Sequence, residues 1–206
     1  MQIPALSDRY LGCLLGLAIG DALGSPMEGM SADMIYQFFG DTQKLCDLPP
    51  DRNLHYTDDT EMMIGVAETL AAHGRIVEDH LVERFVANLN PSRGYGSGAI
   101  QILQAMSEGS DWRDLTANMF PGGSYGNGAA MRVAPVGLLF HDDLDRVWEE
   151  ARLSALPTHV HPLGIEGAQL LATSVAWLVD NPVFRPESFY EELRQRATTD
   201  EFRWLL

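Results

Sequence analysis

The sequence predicts an all-α fold in a single domain over residues 1–206, and three features predict it. Apolar residues recur at helical spacing in one segment after another. Loops rich in glycine and proline separate those segments. No alternating run long enough for a strand, no heptad array and no repeat period interrupts them. With 46% hydrophobic and 21% charged residues, the chain has the composition of one well-filled globular core and not that of a disordered tail.

The first helix is expected over residues 11–24, where Leu11, Leu14, Leu15, Ala18 and Ala22 fall on one face. Gly12, Gly16, Gly20 and Gly24 recur every four residues on another. An interior glycine costs a helix roughly 1 kcal/mol relative to alanine, so such a stripe implies close approach of another backbone or a ligand. Tight helix packing is the simpler of the two readings. The next helix, residues 57–73, opens on polar Thr57, Asp58, Asp59, Thr60 and Glu61, continues with apolar Met62, Met63, Val66, Ala67 and Leu70, and stops at Gly74. Further helical patterns cover residues 78–88, 98–106, 129–140, 144–156, 163–179 and 188–196. Ser188 with Glu191 reads as a capping box, and Thr198 with Glu201 as a second one that opens a last helix. The chain stops at Trp204, Leu205 and Leu206, soon after that helix opens, and so reads as truncated at its C-terminus.

The formal charge of −15, from 29 acidic and 14 basic residues, argues against a broad basic surface for nucleic acid. It suits a site that gathers divalent cations on carboxylates. Cys13 and Cys46 lack the close pairing of zinc or redox motifs, which fits a reducing, cytoplasmic setting. Met1 to Arg9 hold no basic stretch followed by an apolar run, and the small-residue segment after them carries Asp21, so neither a signal peptide nor a membrane span is expected. The oligomeric state is open, with a monomer the simpler expectation.

Four segments carry possible chemistry. In Tyr56-Thr57-Asp58-Asp59-Thr60-Glu61, a threonine or aspartate cap followed by acids complements a helix N-terminus with no further role. The alternative is metal binding: consecutive aspartates project about 100° apart on a helix and suit two neighbouring hard cations, magnesium above all. Glu28, on a loop between Pro26 and Gly29, is a candidate co-ligand, and Asp21 a structural carboxylate that holds the loop after it. In the Gly122 to Arg132 segment, four glycines lead towards a helix and can turn amides to an anion such as a diphosphate. Tyr125 adds a ring for stacking, and the missing lysine excludes an ATP-hydrolysing P-loop. Arg93 to Gly98 is a second glycine-dense loop. His159 and His161 lack a third soft ligand for zinc; His159 reads as a hydrogen-bonding wall residue and His161 as a surface one.

Taken together and in this order, these segments resemble the ADP-ribosylglycohydrolase family, and most closely its branch acting on O-acetyl-ADP-ribose and serine-linked ADP-ribose. The resemblance implies an orthogonal helical bundle with two magnesium ions at one end of a cleft, and magnesium-dependent hydrolysis of the glycosidic or ester bond between ADP-ribose and an acceptor. The partner would be an ADP-ribosylated protein or an ADP-ribose-containing small molecule. Thr57, Asp58 and Asp59 match the family's metal-binding triplet and Glu28 its mobile loop glutamate, so that Asp58, Asp59 and Glu28 are the catalytic candidates. Gly123, Ser124, Tyr125, Gly126, Asn127 and Gly128 match the loop that cradles the diphosphate and adjacent sugar. His159 and Phe120 match the pocket wall. The family also supplies metal ligands from a late segment of the type Gly-Gly-Asp-Thr-Asp-Thr, which this sequence lacks. Its late acidic pairs, Glu191-Glu192 and Asp200-Glu201, have no such glycine context. An ADP-ribose-binding module without catalysis, or an inactive fragment, is therefore the competing expectation.

Overall fold

The computed structural model describes residues 4–40 and 54–206; Cys46 and the first residues of the leader reading, Met1 to Ile3, lie outside them. Eleven α-helices occupy the described residues, with no strand among them, as the sequence predicts. They are α1 (Leu6–Gly24), α2 (Ala32–Phe39), α3 (Asp58–His73), α4 (Glu78–Asn88), α5 (Ser97–Ser107), α6 (Trp112–Asn118), α7 (Ala134–Leu139), α8 (Leu144–Ala155), α9 (Pro162–Asp180), α10 (Pro186–Arg196) and α11 (Asp200–Leu205).

The core sits where α3, α4, α5, α7, α8 and α9 meet, around Met62, Val66, Phe85, Leu103, Val136 and Ala172. Helix α9 lies at its centre and packs against both α7 and α8. A Cβ on Gly137 of α7 would fall 2.3 Å from the Ala172 carbonyl oxygen, so glycine is what lets α7 and α9 approach backbone to backbone.

The stripe on α1 behaves otherwise. Nothing lies within 4 Å of a Cβ built on Gly12, Gly16, Gly20 or Gly24, and Leu11, Leu15 and Ile19 are more than half exposed. The expected tight packing of that face is absent among the described residues. Polar contacts join the half-buried face of Leu14, Leu17 and Ala18 in holding α1: Arg9 donates to the Val179 carbonyl, Tyr10 to the Leu138 carbonyl, and Asp21 reaches α3. By length and composition, the Leu6–Met27 and Pro162–Asp180 segments are each apolar enough to cross a membrane; more than half of the second is buried in this core.

Three further expectations need correction. The helix expected over 129–140 is a 3-10 turn, Asn127–Ala129, then a turn, then α7, because Pro135 has no N–H to donate and is tolerated only in a first helical turn. Ser188 is no cap, since α10 already begins at Pro186, whose fixed φ suits the first position. Thr199, not Thr198, caps α11, accepting from the Phe202 N–H; Thr198 donates through its backbone and hydroxyl to the buried Glu166 carboxylate instead. Helices α2 and α6 are additions, each opened by a side-chain cap, Ser31 and Asp111.

Candidate functional site

The site is built on the N-terminus of α3. Thr57 is its N-cap, accepting from the Asp59 N–H at 3.3 Å. The Asp21 carboxylate of α1 accepts from the Thr57 N–H (2.9 Å), the Thr57 hydroxyl (2.6 Å), the Thr60 N–H (3.2 Å) and the Thr60 hydroxyl (2.5 Å). Asp21 thus completes the helix start together with the Thr57 cap; it does not serve the loop that follows it. Burial pushes the Asp58 carboxyl up to about 6, with Glu28, Asp21 and Glu61 adding like charge against a lowering backbone hydrogen bond. Burial and then Asp21, Asp58 and Glu28 push Asp59 up to about 6 as well.

Glu61, one turn on, is buried and organises the second glycine loop. It accepts from the Asn90 N–H at 2.8 Å and the Tyr95 hydroxyl at 2.9 Å, and lies 3.7 Å from the Arg93 guanidinium. That guanidinium stacks over the Tyr56 ring and donates to the Tyr56 carbonyl. Arg93 to Gly98 is thereby fixed beside the aspartates.

A cavity of about 290 Å³ opens there. Asp58 lines it together with Gly96, Ser97, Gly98, Phe120, Ser124, Gly126, Asn127, Gly128, Arg132, Thr158 and His159. Phe120 rests on Gly98, where a Cβ would meet the ring at 2.6 Å. The glycines of the 123–128 loop answer chiefly to close packing. Gly123 has φ +90° and would collide with the His161 backbone N at 2.6 Å, and Gly128 would meet His159 Cε1 at 2.9 Å. Gly164 lets the first turn of α9 approach the Ser124 carbonyl. Burial first, then Arg132, pushes the His159 imidazole down to about 3, so it is neutral.

Not every expected residue joins this cavity. Tyr125 is 71% exposed with its ring tilted against His161, 5.2 Å between centroids, and Gly123 is buried behind the loop. His161 is half-buried and accepts from the Leu163 N–H as the cap of α9. Asp59 and Glu28 face a second recess with Asp21, and Thr57 and Glu28 a third with Tyr56 and Arg93. Arg132, Thr158 and Ser97 were not singled out by sequence. An arginine inside the apolar run Ala129 to Leu139 is the signal that points to the first of them.

Oxygen donors that repel one another around Asp58, Asp59 and Glu28 fit a hard cation in kind. They fit it only in part, because no three His, Cys, Asp or Glu side chains among the described residues stand close enough to share one ion.

Comparison with known proteins bears on these features together. The model of the ADP-ribosylglycohydrolase family matches residues 2–205. The chain is 34% identical to ADP-ribosylhydrolase ARH3 of Danio rerio, over 90% of this chain and 51% of that one. It is 36% identical to the ADP-ribosyl-[dinitrogen reductase] glycohydrolase of Rhodospirillum rubrum, over 87% of this chain and 60% of that one. A solved structure described as an ADP-ribosylglycohydrolase-related protein complex superposes with a TM-score of 0.66 at 26% identity, over 94% of this chain and 64% of that one. The chain therefore spans about half to two thirds of the length of these relatives.

Proposed function

This chain belongs to the ADP-ribosylglycohydrolase family, and from that premise we propose that it serves hydrolysis of the bond between ADP-ribose and an acceptor. One observation carries the reading: a single cavity brings together Asp58, the neighbouring Phe120, Ser124, Gly126, Asn127 and Gly128, and His159, three parts of the chain far apart in sequence. The loop and His159 bind the diphosphate-sugar portion, and Phe120 gives an apolar wall to the adjoining ring. Asp58 stands at the reacting end: free of metal its carboxyl is raised to about 6, and as a metal ligand it would be ionised and orient the cation there. Thr57, Asp58, Asp59 and Glu28 would hold magnesium, which when bound would polarise the reacting oxygens.

A second reading has its own support, because the carboxylates among the described residues fall short of a complete metal site. On that reading the chain binds ADP-ribose without turning it over. The two are separated by measuring affinity and turnover on the same protein. Calorimetry with ADP-ribose and with AMP is expected to show preference for the diphosphate, and ADP-ribose release from serine-linked or O-acetyl substrates in magnesium is expected to vanish in Asp58→Asn. Preference without any release leaves the binding module; equal affinity for AMP overturns the assignment of the loop.

A further inference from the structure

Arg132 is fully buried, yet its partners are all neutral. One terminal nitrogen, Nη2, donates to the Ser154 carbonyl and to the Thr158 hydroxyl, both at 2.8 Å. The other faces the Met62 sulfur at 3.8 Å, the Phe85 ring lies 4.6 Å from the guanidinium carbon, and Nε has no acceptor among the described residues. A cation in such a place is costly to keep, and core packing alone does not call for one.

Its consequence follows from counting protons. A guanidinium only donates, so Thr158 Oγ1 must accept from it. The single threonine proton then goes to the nearer of two acceptors: His159 Nδ1 at 2.8 Å, as against the Ala155 carbonyl at 3.5 Å. Nδ1 is therefore the lone-pair nitrogen and Nε2 carries the hydrogen. The Cε1–Nε2 edge of the ring packs against the loop: a Cβ on Gly128 would lie 2.9 Å from Cε1 and 3.4 Å from Nε2, and one on Gly126 3.9 Å from Nε2. We propose that Arg132 is a positioning residue: it holds the Thr158 hydroxyl by one lone pair with its proton directed at Nδ1, and so keeps His159 as the Nε2–H tautomer with that edge against the 123–128 loop. Were Thr158 to accept from an Nδ1–H instead, its own proton would be left with only the Ala155 carbonyl at 3.5 Å, and a lone pair in place of a hydrogen would face the loop.

The inference rests on the functional reading above only for what the loop holds. Its test is therefore made on the ligand-free protein. Long-range 1H–15N spectra at pH 7, with the ring assigned by its loss in His159→Gln, are expected to show protonated Nε2 and unprotonated Nδ1, unchanged between pH 8 and 5. Thr158→Val should give mixed tautomers and shifted or broadened Gly126 and Gly128 amides, and Thr158→Ser should restore both. An Nδ1–H or charged ring in the unaltered protein, or a Thr158→Val variant with His159 and both glycines unmoved, overturns the proposal. If the tautomer is as stated and ADP-ribose does not bind, the positioning role stands and the functional reading falls.

Discussion

At the scale of single residues, Asp58 and Asp59 are placed where charge is unwelcome. Their folded values near 6 exceed the ordinary carboxylate value of about 3.9, so the folded chain keeps protons that the unfolded chain releases. The metal-free protein consequently loses stability from these groups as pH rises from about 4 to about 6. His159, held down at about 3, works in the opposite sense and loses stability as pH falls below about 6.5. The clean measurement is the difference between Asp59→Asn and the unaltered chain, in which His159 cancels. At pH 7.5 the variant is expected to melt higher, by about 1 kcal/mol after discounting for partial solvent exposure, with the gain gone near pH 4. A lower melting temperature at pH 7.5 would show that the Asp59 charge is compensated. Gly128→Ala tests the other side of the cavity. Its Cβ meets a buried ring held at Nδ1 by the Thr158 hydroxyl, so a loss of about 1–3 kcal/mol in thermal unfolding is expected. An unchanged melt would mean that His159 can withdraw.

At the scale of elements, glycines in similar sequence settings do opposite things. Gly16→Ala on α1 meets nothing and should stabilise by up to about 1 kcal/mol, whereas Gly137→Ala on α7 meets the Ala172 carbonyl and should cost about 1–3 kcal/mol or more. Paired denaturant titrations check both signs at once. The contrast also marks how much the sequence discloses. Helices α3, α4, α8 and α9 were legible because their apolar residues repeat over several turns. The stretch 129–140 misled because its apolar periodicity continues through Pro135, which acts by removing a donor and leaves no trace in the pattern. Helices α2 and α6 are too short to show a period, although their caps Ser31 and Asp111 were there to be read. Of the site, Thr57, Asp58, Asp59 and His159 stood out through motifs, and Phe120 through the family resemblance alone. Arg132, Thr158 and the link from Asp21 to Thr60 did not, because each depends on a partner elsewhere in the chain and no spacing records it.

At the scale of the whole molecule, the carboxylate cluster lies where the C-terminal end of α1 meets the N-terminus of α3. Magnesium would meet there two raised aspartates and an exposed glutamate, but among the described residues no set of three that could share an ion. A cation that demands near-octahedral oxygen geometry is then expected to bind this chain weakly, in the millimolar range. Titration calorimetry reads this directly, and tight binding of two ions would show that the cluster rearranges to a complete site.

Helix α1 presents little buried surface to the rest of the protein, since Ala22 is its one buried residue among those described. Yet its Asp21 holds the threonines that open α3. The first turn of the helix that bears both aspartates is therefore only as durable as the docking of a lightly attached neighbour. Local opening of α1 would release the Thr57 and Thr60 amides while Val66, Thr69 and Leu70 stay sealed in the core. In deuterated solvent the two ends of α3 should part company, the threonine amides exchanging at the rate of α1 excursions and the distal ones at the rate of global unfolding, so that the order of the aspartate turn is governed from a different helix.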